Sequence, residues 1–202
     1  MAAFLGTLLA CALLALCAGC ASNNPDPLEK VNRAIYGLND GLDRFLVKPV
    51  SRGYEKITPR PVQNGITNFF ENLSYTNVIF NDLLQGRLGP ALGGVGRMGV
   101  NTTVGILGTM DVATKWGLPA HRNDMGLTLG QYGVNPGPYL VLPLVGPSTL
   151  RDATDILSRR FTDPLQFVSM TRENELMITG VQVTDARTRA DWAIRFRDQA
   201  AI

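Results

Sequence analysis

From Leu28 onward the apolar residues recur at intervals of three and four: Leu28, Val31, Ile35, Leu38, Leu42, then Phe45 and Leu46. With 3.6 residues per turn, that spacing keeps one face of a helix apolar. Asp26, Pro27 and Glu29 open it as a start signal: Asp as cap, Pro at the first helical position, Glu at the third. Pro49 is expected to interrupt the stripe, and Val50, Tyr54 and Ile57 to carry it further before Pro59 and Pro61. A second helix is predicted from near Pro61, with Val62, Ile66, Phe69, Phe70 and Leu73 on one face. Tyr75 to Gln85 reads as a third, closed by Gly86. Further on, Ser148 or Thr149 caps a helix holding Leu150, Ala153, Ile156 and Leu157, and Asp163-Pro164 starts another. The chain from Glu173 to Gln199 also reads as helical.

Two stretches break the pattern. Gly93, Gly94, Gly96 and Gly99 fall within seven residues. Each weakens a helix in water by up to ~1 kcal/mol. The missing side chains also let a helix or lipid approach the backbone closely. Residues 126–147, "GLTLGQYGVNPGPYLVLPLVGP", carry no charge, and their five Gly and four Pro argue against regular structure over most of the length. A long apolar loop must pack against protein or lipid. No hairpin and no internal repeat is predicted.

The N-terminus adds a different kind of segment. Residues 1–19 contain no charge, and the first charged residue is Asp26. An apolar run this short, ending at Ala18 and Gly19, reads as a signal peptide over residues 1–19 and not as a spanning helix. "MAAFLG" lacks the usual Lys or Arg, so the true start is expected upstream. Cys20 then has three readings. Cys17-Ala-Gly-Cys20 has redox spacing, but that motif needs a strand-to-helix turn in a folded domain. A disulfide fails on counting, since cleavage before Cys20 leaves one cysteine. The third reading is a lipobox with Cys17 at the position where Leu is usual, Cys20 being acylated as the mature first residue. Several acyl chains on one residue anchor durably, since each buried methylene contributes about 0.8 kcal/mol. Residues 20–25 are then a lipidated tether, and 26–202 a single domain large enough to bury a core.

Composition and motifs mostly exclude. A net charge of +2 gives no pull toward nucleic acid. Gly94-Val-Gly-Arg-Met-Gly99 matches a dinucleotide fingerprint, but Pro90 and Gly93 stand where its strand is required, so packing is the better reading. His121 is the only histidine, which leaves no metal site and no cofactor to propose. Ser148 lies outside any nucleophile elbow, so no catalytic residue is assigned. His121, with Arg122, Asn123 and Asp124, reads as part of a polar loop or cap. Asp82, Asp111, Asp152 and Asp155 read as surface or capping acids. Trp116, Trp192, Tyr36, Tyr54, Tyr132 and Tyr139 suit either a core or a headgroup-level belt.

Four blocks carry a resemblance: "DPLEKVNRAIYGLND" (26–40), "KPVSRGYEKITPRPVQNGITNFFENL" (48–73), "DLLQG" (82–86) and "GLTLGQYGVNPGPYLVLPLVGPSTLRD" (126–152). "VTDARTRAD" (183–191) extends it. The chain resembles the MlaA/VacJ family of bacterial outer-membrane lipoproteins. That resemblance implies a mostly α, single compact, ring-like helical domain in the inner leaflet of the outer membrane, on its periplasmic side. It implies association with trimeric porins. A central channel would take mislocalised phospholipid from the outer leaflet to a soluble periplasmic carrier, preserving lipid asymmetry without catalysis. Relatives usually continue past "RFRDQAAI", so a shortened or divergent C-terminal helix is expected. Channel-lining, lipid-binding residues are not readable. The alternative readings are an envelope lipoprotein that scaffolds porins without moving lipid, and a lipid-cleaving enzyme.

Overall fold

The computed structural model describes residues 27–200, with side chains through Asp191. The signal peptide (1–19), Cys20, the tether (20–25), the Asp26 cap and the Trp192 side chain lie outside the described residues. Helix α1 (Glu29–Leu42) runs through a π-helical turn at Asp43–Val47 into α2 (Lys48–Ile57). Pro49 therefore does not interrupt the stripe. It would remove a hydrogen bond and press its ring against the carbonyl four residues back. The wide turn just before it relieves both, and the Lys48 N–H bonds Asp43, five residues back.

Helix α3 (Arg60–Leu84) is one element of 25 residues. The expected break between Leu73 and Tyr75 is absent, because Ser74 is only a mild helix breaker. What changes there is the chemistry of the buried face, which becomes Tyr75, Asn77, Asn81 and Asp82. The helix ends as expected at Gly86, in the left-handed region at φ +70°. Arg87 N–H bonds Asp82 O and Gly86 N–H bonds Leu83 O, which is the Schellman pattern.

The glycine-rich stretch is helical after all, as α4 (Leu88–Thr103), packed along α3. The reason is one position. A Cβ on Gly94 would stand 2.8 Å from Ile79 Cγ1 and 3.2 Å from Tyr75 Cε1, so the two helices meet where a side chain is missing. Beyond it come α5 (Val112–Lys115), capped by Asp111, and α6 (Met125–Gln131), capped by Asp124.

The charge-free block holds α6 and also a hairpin, contrary to expectation. Strand β1 (Tyr139–Leu142) pairs antiparallel with β2 (Gly146–Thr149), Tyr139 opposite Thr149. Side chains of α1 make the short hairpin possible. Asn32 donates to Tyr139 O and accepts from Val141 N–H, both at 2.9 Å. Asn39 does the same with Leu142 O and Leu144 N–H, both at 2.9 Å. Two asparagines seven residues apart thus stand in for a third strand. Thr149 then caps α7 (Leu150–Thr162), a 3-10 turn follows at Pro164–Phe167, and α8 (Arg172–Ala200) completes the chain. Arg187 of α8 grips Asp43 in the π turn with both Nε and Nη2.

Polarity is inverted relative to a water-soluble domain. Among the described residues 14 buried side chains are polar or charged, against five apolar ones. Asn81, Thr128, Asp82 and Ser51 are the largest fully buried side chains. The helical stripes face outward instead: Phe45 is 82% exposed, Ile57 81% and Phe161 74%. On α1, Val31, Tyr36 and Leu38 are exposed while Asn32 is buried. Burying one such side chain is worth roughly 1.5–3 kcal/mol, so apolar faces on this scale gain substantially from any apolar surface that covers them. Among the described residues no helix is long and apolar enough to cross a membrane.

Candidate functional site: a polar interior along α3

The interior is built on α3, whose inward face is polar from end to end. At its C-terminal half Asp82 is fully buried. Its carboxylate takes His121 Nε2 at 2.6 Å and the Asn123 amide at 2.8 Å. His121 Nδ1 lies 3.0 Å from the Tyr75 hydroxyl, which also accepts the His121 backbone N–H at 2.9 Å. The carboxylate can only accept, so Nε2–H donates to Asp82, and the ring is held between Asp82 and the Tyr75 hydroxyl. Both ring nitrogens of His121 are thus engaged, by Tyr75 and Asp82. Gln85 continues the network to Asn123 and Thr128, each at 2.8 Å.

A second cluster joins α3 to α7. Asn77 Nδ2 donates to Asp155 at 2.9 Å, and the Ser158 and Thr162 hydroxyls donate to Asn77 Oδ1. Burial raises the Asp155 carboxyl. The bonds from Arg159 and Asn77 outweigh that and hold it below the usual carboxylate value.

The third cluster joins α4 to α5. Arg97 is buried beneath the Tyr75 ring, 5.5 Å from its centroid. It bonds Thr114 Oγ1 at 2.7 Å, Leu118 O at 2.8 Å and Asp111 at 2.9 Å. Burial raises the Asp111 carboxyl, but bonds from Thr114, Arg97 and Asn101 bring it to about 2.

Two cavities open along the same helix. One of about 630 Å³ lies between α3 and α8, lined by Arg60, Gln63, Asn64, Thr67, Asp185, Thr188 and Arg189. The other, about 40 Å³, is lined by Asn68, Glu71, Asn72, Tyr75, Arg97, Asn101 and Asp111. Asn64 and Asn68, like Thr67 and Glu71, are four residues apart on α3, so a single face of the helix serves both. Polar walls inside an apolar exterior can hold a charged group while its surroundings remain hydrocarbon-like.

The acids read as surface groups divide. Asp82 is buried and Asp155 half-buried, so that reading is corrected for both: each sits in a saturated hydrogen-bond network, which makes burial of its charge tolerable. Asp111 caps α5 as expected, and Asp152 is exposed in the first turn of α7. His121 belongs to the buried network, not to a loose loop. Trp116, Tyr36, Tyr132 and Tyr139 are exposed. The asparagines were missed, although Asn72, Asn77 and Asn81 within one helix were a signal. Asparagine is a poor helix former and is placed there only when its side chain has work inside. No cluster of three or more potential metal ligands occurs among the described residues.

A helical domain with a polar, cavity-bearing interior and outward apolar helix faces is the class of protein that the fold and site define. The profile of the MlaA lipoprotein family matches residues 24–202, and the chain belongs to that family. It is 39% identical over 147 residues to the intermembrane phospholipid transport system lipoprotein MlaA of Escherichia coli K12, covering 68% of this chain and 59% of that protein. An uncharacterised Rickettsia felis protein is 40% identical over 143 residues, covering 70% of this chain and 57% of its own length. The chain thus spans less than two thirds of these curated relatives. A solved structure concerned with maintenance of bacterial outer membrane lipid asymmetry superposes with a TM-score of 0.68 at 29% identity, covering 85% of this chain and 89% of that one.

Proposed function

We propose that this protein is an outer-membrane lipoprotein that removes mislocalised phospholipid from the outer leaflet and passes it inward, intact, to a soluble periplasmic carrier. The observation that carries the reading is the inverted polarity: Asn81 and Asp82 fully buried, with Phe45, Ile57 and Phe161 outward. A phospholipid crossing a leaflet needs a polar route for its headgroup, because a charged phosphate in bare hydrocarbon is very costly. It needs apolar walls for its tails. The outward residues of the charge-free block, including Leu127, Tyr132, Leu144 and Val145, suit a wall facing acyl chains. Cys20 would supply the anchor, a trimeric porin the lateral partner, and the protein would sit as a ring on the periplasmic side. In this reading the lipid is moved without bond cleavage, and transport requires no activated nucleophile.

The test places the purified protein with a porin in liposomes carrying a labelled phospholipid, with an acceptor carrier outside. Label is expected in the carrier with both acyl chains attached. Lysophospholipid or fatty acid released at a rate set by this protein would replace transport by hydrolysis. Carrier that stays unlabelled would leave a scaffold for porins.

A further inference from the structure

The geometry points to the cavity between α3 and α8 as a binding station for the phosphodiester of a glycerophospholipid headgroup, with Arg60 and Arg189 as its ligands. This rests on the transport reading and assigns it a place. Of the charged side chains lining this cavity, Arg60 and Arg189 are cationic and Asp185 anionic, an excess of one positive charge. A phosphodiester can be held between two guanidiniums through charge-assisted hydrogen bonds, provided it displaces the carboxylates now paired with them. Gln63 and Asn64, on the first turns of α3, also line the cavity, which places the positive end of a 25-residue helix at the same mouth. α3 begins after Pro59 with no side-chain cap to occupy that end.

The two arginines are held ready, not locked. Arg60 pairs with Glu55 at 3.1 Å and Arg189 with Glu71 at 2.9 Å, and both guanidinium side chains remain about half exposed. Exposed pairs of this kind are weak, so a phosphate can take the guanidiniums over. Asp185 is a positioning residue. It is 2% exposed, accepts from the Thr67 hydroxyl at 2.9 Å and pairs with Arg189 Nε at 3.2 Å, which fixes one face of the guanidinium. The Tyr54 hydroxyl is buried without a hydrogen-bond partner, and after burial itself the Asp185 charge is what raises its pKa. At about 630 Å³ the cavity falls within the range of small-ligand sites.

The experiment titrates the detergent-solubilised full chain with dihexanoyl phosphatidylethanolamine, and separately with inorganic phosphate, read by calorimetry and by the phosphorus chemical shift. Wild type is expected to bind the lipid, and R60Q and R189Q each to weaken it roughly tenfold, as for lost hydrogen bonds to a charged group. Both variants should melt like wild type, since both side chains are half exposed. R60K/R189K keeps the charges and is expected to bind better than R60Q/R189Q. Lipid binding in R60Q/R189Q equal to wild type, or a Lys pair no better than the Gln pair, overturns the assignment. Inorganic phosphate binding as tightly as the lipid makes this a free-phosphate site and overturns the lipid source. If wild type bound no lipid, the transport reading would fail first. If wild type passed lipid to a carrier while R60Q/R189Q bound it unchanged, only this cavity's role would fall.

Discussion

At Asp111 the interior's chemistry becomes measurable. Its carboxyl lies near 2 in the folded protein, against 3.8 ordinarily. A group depressed in this way stabilises the fold above its unfolded pKa, and that stability is lost as pH falls through the folded value. The expected window is therefore pH 4 down to 2. The full shift corresponds to roughly 2 kcal/mol. A third of the side chain is exposed, so screening reduces this to about 1 kcal/mol. Asp111→Asn should be less stable at neutral pH and should lack that share of the acid-induced loss. Denaturant titrations in one detergent at pH 7, 4 and 2.5 check it, and parallel curves for both proteins would contradict it. Arg97 explains the sensitivity, because a buried guanidinium that loses its carboxylate is left only neutral partners.

At the scale of elements, the α3–α4 contact separates two adjacent glycines. A side chain on Gly94 meets Ile79 and Tyr75, whereas nothing lies within 4 Å of the position a Cβ would take on Gly93. Gly94→Ala should destabilise by about 1–3 kcal/mol through overpacking. Gly93→Ala should stabilise by about 0.5–1 kcal/mol through helix propensity. Thermal melts of the two variants distinguish them, and equal shifts would mean that α3 and α4 do not meet at Gly94. The helices themselves were legible in the sequence. Periodicity located α1 and α7 and, as two pieces, α3; α8 was expected as a helix over nearly its observed span, Gly86 marked an end, and Thr149 is the one of two candidate residues that caps a start. Periodicity reports that a helix has two unlike faces, but not which of them is inside. The hairpin was illegible for another reason. Its register depends on Asn32 and Asn39, more than 100 residues away, and no local turn signal carries that information. The candidate site was hidden likewise, since its walls are asparagines, threonines and arginines that a soluble fold would place on its surface.

For the whole molecule, two attachments are expected to act together: the outward apolar faces and an acylated Cys20. Cys20→Ser should abolish palmitate labelling. Part of the protein should still sediment with membranes, because Phe45, Ile57 and Phe161 remain outward. High-salt and carbonate washes of fractionated cells check this. Palmitate still incorporated into Cys20→Ser would remove the anchor from the account.

The buried asparagines also govern how the chain reaches its fold. In water, collapse drives apolar side chains inward, so the first compact states would bury the faces that the finished molecule turns outward. The native hydrogen-bond network then forms only after such states turn inside out, a frustrated route with competing minima. An escort that shields the outward faces during transit, or direct release into a lipid-like phase, removes that trap. Biogenesis, and not final stability, is then the step at which this architecture is most vulnerable.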